Sequence, residues 1–81
     1  MAERRYIVRG EWDAEAGTWI ATSDDVPGLC CEAATFEALV DEVLALVPEL
    51  LAANKVALPP GVAEVSVDVI AERRVTVRVI A

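Results

Sequence analysis

The chain has 81 residues, 56% hydrophobic and 26% charged, with 7 basic against 14 acidic side chains for a net charge of −7. That composition suits one folded domain with a modest core and argues against extensive disorder. The acidic balance argues against direct nucleic-acid binding, which rests on Lys and Arg. No stretch reaches the roughly 18 apolar residues of a membrane span.

The first residues, Met1 to Val8, hold two arginines but no apolar run of signal-peptide length, so a cytoplasmic location is expected. Histidine, the commonest general acid-base group, is absent. Basic residues gather at the two ends, as Arg4, Arg5 and Arg9 and as Arg73, Arg74 and Arg78, while Glu11 to Glu49 contains no Lys or Arg. Such an acidic middle either attracts a basic partner or simply keeps the domain soluble. Cys30 and Cys31 are adjacent, and neighbours on a strand point to opposite faces, so they neither share a metal nor pair readily with each other. They read as two small apolar residues in a reducing compartment, and no metal or cofactor is expected.

In chain order, the first element is a strand from Arg5 to Trp12. Tyr6, Val8 and Trp12 share one face and Arg5, Arg9 and Glu11 the other, with Ile7 breaking the polar side. Asp13 to Gly17 is a turn that Gly17 closes, and Thr18 to Ser23 returns as the second strand of a hairpin. Asp24-Asp25-Val26-Pro27-Gly28 ends that strand, Pro27 and Gly28 favouring a tight turn. Leu29 to Ala34 gives a short third strand. Thr35 is an N-cap, and Phe36, Leu39, Val40, Val43, Leu46, Val47, Leu50 and Leu51 form one apolar stripe on a helix that ends at Asn54 and Lys55. Pro48 predicts a kink within it. Pro59-Pro60-Gly61 connects to the last segment.

From Val62 to Ala81 the pattern is strand-like throughout. Val65, Val67, Val69, Ala71, Val75, Val77 and Val79 share one parity, and Glu64, Ser66, Asp68, Glu72, Arg74, Thr76 and Arg78 the other. The parity passes unchanged through Glu72-Arg73-Arg74, where a two-residue hairpin would reverse it. The pattern favours one long strand, bent if anywhere near Arg73, over a hairpin with a longer loop. Such a strand, roughly 60 Å long at 3.3 Å per residue, outruns the sheet and leaves Val75, Val77 and Val79 uncovered. An uncovered apolar overhang calls for another chain, so these valines are candidate oligomer contacts and a homo-oligomer is expected. The predicted architecture is a single α+β domain over residues 1–81, in the order β-β-β-α-β. One helix packs on one face of an antiparallel sheet.

The run from Trp12 through Gly17, Trp19 and Ala21, then Ser23 to Leu29, then Glu32 to Leu39, resembles the N-terminal domain of HicB antitoxins. It is still more similar to short bacterial HicB relatives catalogued as a domain of unknown function, which share the Trp-x-Ala-x-Ser-x-Asp-Val-Pro-Gly-Leu core and the helix end Val47-Pro48-Glu49-Leu50-Leu51. The resemblance covers roughly residues 5 to 71. It implies a β-β-β-α-β fold related to degraded RNase H or double-stranded-RNA-binding folds. It also implies a non-catalytic protein that neutralises a small basic RNA-cleaving toxin, HicA, by covering it. Many HicB proteins add a DNA-binding domain; no such segment follows here, so DNA binding is not expected.

Within that frame Trp19, Asp24, Asp25 and Glu32 are candidate partner-binding residues, while Gly17, Pro27, Gly28 and Thr35 shape turns and a cap. Trp19 could face the helix or the partner. An RNase H-like fold invites a metal-nuclease reading with Glu11, Asp13 and Asp24 as ligands. Against it, Asp24 and Asp25 suit the bonding of backbone N–H groups in the turn, and with no His and one Lys the supporting groups for catalysis are missing. Two functional expectations stand: an antitoxin-like module for a HicA-like toxin, or a stand-alone homo-oligomer that binds a ligand or regulator.

Overall fold

The computed structural model describes residues 5–58, 60–61 and 64–80. It contains strands β1 (Arg5–Asp13), β2 (Thr18–Thr22) and β3 (Cys30–Ala33), helix α1 (Phe36–Ala53) and strand β4 (Ser66–Glu72). The sheet order is β3-β2-β1-β4, with α1 on one face.

Period-two alternation decides which side of each strand faces the helix. Tyr6, Val8 and Gly10 of β1 are buried, as is Ala21 of β2, which stands opposite Gly10. The β1–β2 loop closes as a single wide turn in which the Gly17 N–H donates to the Asp13 carbonyl at 2.8 Å. Asp13 Oδ1 accepts from the Glu15 and Ala16 N–H groups at 3.0 and 3.3 Å. Gly17 has φ 67°, a left-handed conformation that glycine adopts without a Cβ clash.

α1 begins where Thr35 Oγ1 accepts the Ala38 N–H at 3.1 Å, the bond expected of an N-cap. Leu39, Val43, Val47 and Leu51 recur every four residues and form its buried stripe. The helix is continuous through Pro48, which lies on the solvent side with Leu44, the residue whose carbonyl the proline deprives of a donor. Its C-terminus is a Schellman motif: Lys55 N–H donates to the Ala52 carbonyl at 3.1 Å and Val56 N–H to the Leu51 carbonyl at 3.0 Å. Lys55 occupies the left-handed position, at φ 53°. With Tyr6, Val8, Ala21, Val26 and Leu29, the helical stripe makes the core.

Element order and the single helical layer match the sequence-based expectation, but the sheet is mixed. β1, β2 and β3 alternate in direction, whereas β4 pairs parallel to β1, from Arg5 opposite Ser66 to Glu11 opposite Glu72. The reason is the crossover. β3 runs in the direction of β1, α1 carries the chain back, and β4 must then start at the same end as β1.

After Glu72 the ladder stops while the backbone continues, residues 73–80 being extended with no turn and no bend. This is the long extended segment of the sequence pattern, hydrogen-bonded over β4 and, among the described residues, without a paired strand beyond it. Neither a bend at Arg73 nor a hairpin occurs among the described residues. The molecule measures 59 × 27 × 18 Å with a radius of gyration of 15.5 Å, against about 12 Å for a compact chain of this length.

Candidate protein-binding surfaces

Three places carry the residues that the sequence singled out. The first is the turn after β2. Backbone pairing between β1 and β2 ends at Arg9 opposite Thr22, and loop side chains continue the ladder in its place. Ser23 Oγ donates to the Ile7 carbonyl at 2.6 Å, and Asp25 Oδ2 accepts from the Ile7 N–H at 2.7 Å. The same Ser23 Oγ accepts from the Asp25 and Val26 N–H groups, both at 3.1 Å. Val26 thereby drops into the core with no accessible surface. The Leu29 N–H closes the turn onto the Val26 carbonyl at 3.2 Å, with Gly28 at φ 80° between them. Asn54 Nδ2 ties the turn to the helix end, donating to the carbonyls of Pro27 at 3.2 Å and Leu50 at 2.8 Å. Asp25 therefore has an architectural task, and the hydroxyl that caps the turn belongs to Ser23. Asp24 is exposed and makes no hydrogen bond or ion pair among the described residues.

The second place is the hairpin end. Trp19, which parity left open, lies on the helix side, half-buried and edge-to-face with Phe36 at 5.6 Å and with Trp12 at 5.5 Å. The Arg73 guanidinium sits over the Trp12 ring, 4.6 Å from its centroid, and anchors the chain where it leaves β4. Glu11, Trp12, Asp13, Glu15 and Ile20 line a shallow depression of about 430 Å³ beside it. Glu32 is exposed on β3, its carboxylate 3.5 Å from Thr18 Oγ1. Cys30 is exposed and Cys31 half-buried. Burial raises the Cys31 thiol above its ordinary pKa, and the charges of Glu42 and Cys30 add to the effect. Among the described residues no three acidic or cysteine side chains converge as a metal site, so Glu11, Asp13 and Asp24 are not brought together as ligands.

The third place is the β4 side. α1 packs closest to β3 and β2, so the inner face of β4 is only half covered. Between β4 and the C-terminal half of the helix runs an apolar groove of about 520 Å³, lined by Leu44, Val47, Leu51, Val56, Val65 and Val67. Beyond β4 project Val75, Val77, Val79 and Ile80, exposed by 67, 73, 84 and 91%. Side chains of that kind rarely stand together in water on a monomeric protein.

Sequence reasoning passed over Ser23, Asn54, Gly10 and the partner of Arg73. A serine two and three residues ahead of free turn N–H groups is the local signal for the first. Arg73 shares the parity of Val69 and Ala71 and is the next register step opposite Trp12, which was a signal for its stacking. The contacts of Asn54 and Gly10 are tertiary and leave no local trace.

A family model described as "Domain of unknown function (DUF1902)" matches residues 5–81, a span that includes the projecting tail. The chain is also similar to the hypothetical protein TTHA1013 from the extremely thermophilic bacterium Thermus thermophilus, known from a crystal structure. Identity is 45%, over 94% of this chain and 100% of that one, with a TM-score of 0.70. No curated protein matches. No helix among the described residues is long and apolar enough to cross a membrane.

Proposed function

The chain belongs to the family of the domain of unknown function DUF1902, and we propose that it works as a non-catalytic protein-binding module. The observation that carries this reading is the projecting tail. Four large apolar side chains stand exposed on a segment that lies within the family match, so the overhang is part of the domain's design. A surface of that kind gains most from being covered by another polypeptide.

The finer reading is an antitoxin-like action on a small basic RNA-cleaving toxin of the HicA type. Its support is charge. From Gly10 to Asn54 the chain has no basic residue, and Asp24, Asp25, Glu32, Glu37, Asp41, Glu42 and Glu49 are exposed there. Such a surface steers a basic protein towards itself and repels RNA. The test mixes purified chain with a small basic RNA-cleaving toxin of the HicA type, reading binding by calorimetry and RNA cleavage on a gel. Binding that weakens with salt, together with loss of cleavage, is expected. Absence of both rejects the antitoxin reading.

A second reading, a stand-alone homo-oligomer that binds a ligand or regulator, is favoured by the apolar groove along β4. Nile red, a neutral apolar dye, tests it. Enhanced fluorescence that Leu44→Glu abolishes supports a ligand site, and unchanged fluorescence rejects it.

A further inference from the structure

We infer that residues 73–80 pair antiparallel with the free edge of β4 in a second copy of the chain, about a two-fold axis at Arg73. The inference deepens the protein-binding reading and rests on it, naming the partner at the tail as the chain itself.

The geometry begins with a free edge. β4 ends the sheet order, so among the described residues its outer N–H and C=O groups face no strand. The tail beyond it is extended and also unpaired. An open edge and an extended apolar segment in one molecule form a self-complementary pair, the condition for an isologous contact.

Register follows from faces and charges. In an antiparallel pair, directly opposite residues point to the same face, so only registers matching odd with odd positions keep the tail valines on the helix side. Centred on Arg73, the pairing sets Val75 opposite the partner's Ala71, Val77 opposite the partner's Val69 and Val79 opposite the partner's Val67. On the other face Arg74 meets the partner's Glu72, Thr76 meets the partner's Ile70, and Arg78 meets the partner's Asp68. Both ion pairs recur through the axis. Moving the centre to Glu72 brings two Glu72 carboxylates together and leaves Arg74 and Arg78 without acids. Centring on Arg74 apposes two Arg74 side chains and again leaves Arg78 without an acid. A centre at Val75 retains one ion pair and leaves Asp68 outside the overlap. Like charges directly opposite are unfavourable and opposite charges favourable. Two centres give two ion pairs, Arg73 and Ala71, and only Arg73 sets both acids within β4, because at Ala71 the residue opposite Arg78 is the partner's Glu64, which lies ahead of that strand. Its one liability, two Arg73 side chains at the axis, is relieved because each guanidinium is drawn aside over its own Trp12 ring.

The same register uses the groove. Val79 comes to lie beside the partner's Val67 on the groove floor, and Val77 and Val79 close its open side below the partner's Leu44. The two four-stranded sheets become one of eight strands.

The experiment is sedimentation equilibrium of the purified full chain, a chain ending at Glu72, Arg74→Glu, and the exchange Glu72→Arg with Arg74→Glu. A dimer for the full chain and a monomer for the shortened one are expected. Arg74→Glu should raise the dissociation constant by about 10-fold, and the exchange should restore it, since each altered pair occurs twice. In a background with Cys30→Ser and Cys31→Ala, Arg73→Cys should oxidise to a disulfide-linked dimer, because only residues at the axis meet their own copies. Thr76→Cys should not. A monomeric full chain overturns the inference, as does a dimer that survives removal of the tail. Failure of the charge exchange to restore pairing, or cross-linking through Thr76→Cys in place of Arg73→Cys, overturns the register. No toxin enters these measurements, so their failure is distinct from failure of the antitoxin reading, which the cleavage assay decides.

Discussion

Replacing Ser23 by alanine should be among the most damaging single-atom changes in this protein. Its hydroxyl donates to the Ile7 carbonyl and accepts from the Asp25 and Val26 N–H groups. Of the three groups, the Val26 N–H matters most. Its residue has no accessible surface, so water cannot readily take the hydroxyl's place. A buried donor left unpaired costs about 1–3 kcal/mol, and loss of a typical hydrogen bond about 1 kcal/mol. With solvent replacing part of the Ile7 bond, Ser23→Ala should lose about 2–3 kcal/mol, a fall in Tm of about 10–20 °C for a domain of this size. Thermal unfolding followed by circular dichroism reads this directly. Ser23→Thr, which retains the hydroxyl, should lose less. Asp24→Ala, next along the chain, exposed and without a bond among the described residues, should stay within about 0.5 kcal/mol of the parent. If Ser23→Ala melts no lower than Asp24→Ala, the ladder is not carried by this hydroxyl and the account of the turn is wrong.

Gly10→Val should destabilise by about 1–3 kcal/mol in urea unfolding. A Cβ at Gly10 would already lie 3.2 Å from Leu39 Cδ2 and 3.6 Å from Phe36 Cε1, and valine adds two methyl groups to that space. Lys55→Gly should raise stability by about 0.5–1 kcal/mol, because Lys55 holds φ 53° at the Schellman position where glycine carries no Cβ penalty. An unchanged or lowered midpoint would show that the lysine is not strained. Iodoacetamide at pH 8 should label exposed Cys30 well before Cys31, as peptide mass mapping would show. Burial, then the neighbouring Glu42 and Cys30, disfavour the Cys31 thiolate. The sign follows: a thiol whose folded pKa is raised contributes its stabilisation fully below the ordinary thiol pKa and loses it as pH climbs through the raised value. Stability should therefore fall on the alkaline side, and Cys31→Ala should remove that part of the fall.

Periodicity made the elements readable because each strand and the helix bury one face against a single shared core. Tyr6 and Val8 on alternate positions, and every fourth residue from Leu39 to Leu51, carry that signal in the sequence itself. Strand direction was not readable in the same way. Parity says which face Val67 and Val69 occupy but not which way β4 runs, and only the crossover made by α1 settles its parallel pairing with β1. The turn after β2 was half readable. Pro27 and Gly28 announced it, but the division of labour between Ser23, Asp24 and Asp25 depends on the distance from the loop to Ile7, and no local pattern encodes that distance.

The C-terminal segment reverses the usual relation between pattern and packing. Elsewhere an apolar parity in the sequence is accounted for by burial within the same molecule; from Val75 to Val79 the parity continues while burial stops. Among the described residues of one protomer the alternation of Val75, Val77 and Val79 with Arg74, Thr76 and Arg78 faces no strand, because the ladder ends at Glu72. Its polar positions are not arbitrary either: the spacing of Arg74 and Arg78 complements that of Glu72 and Asp68 when the strand is reversed upon itself. A tail kept merely soluble would need neither the valines nor that spacing. The proposed pairing of two chains accounts for both features at once, since parity and charge order then describe the same strand pair.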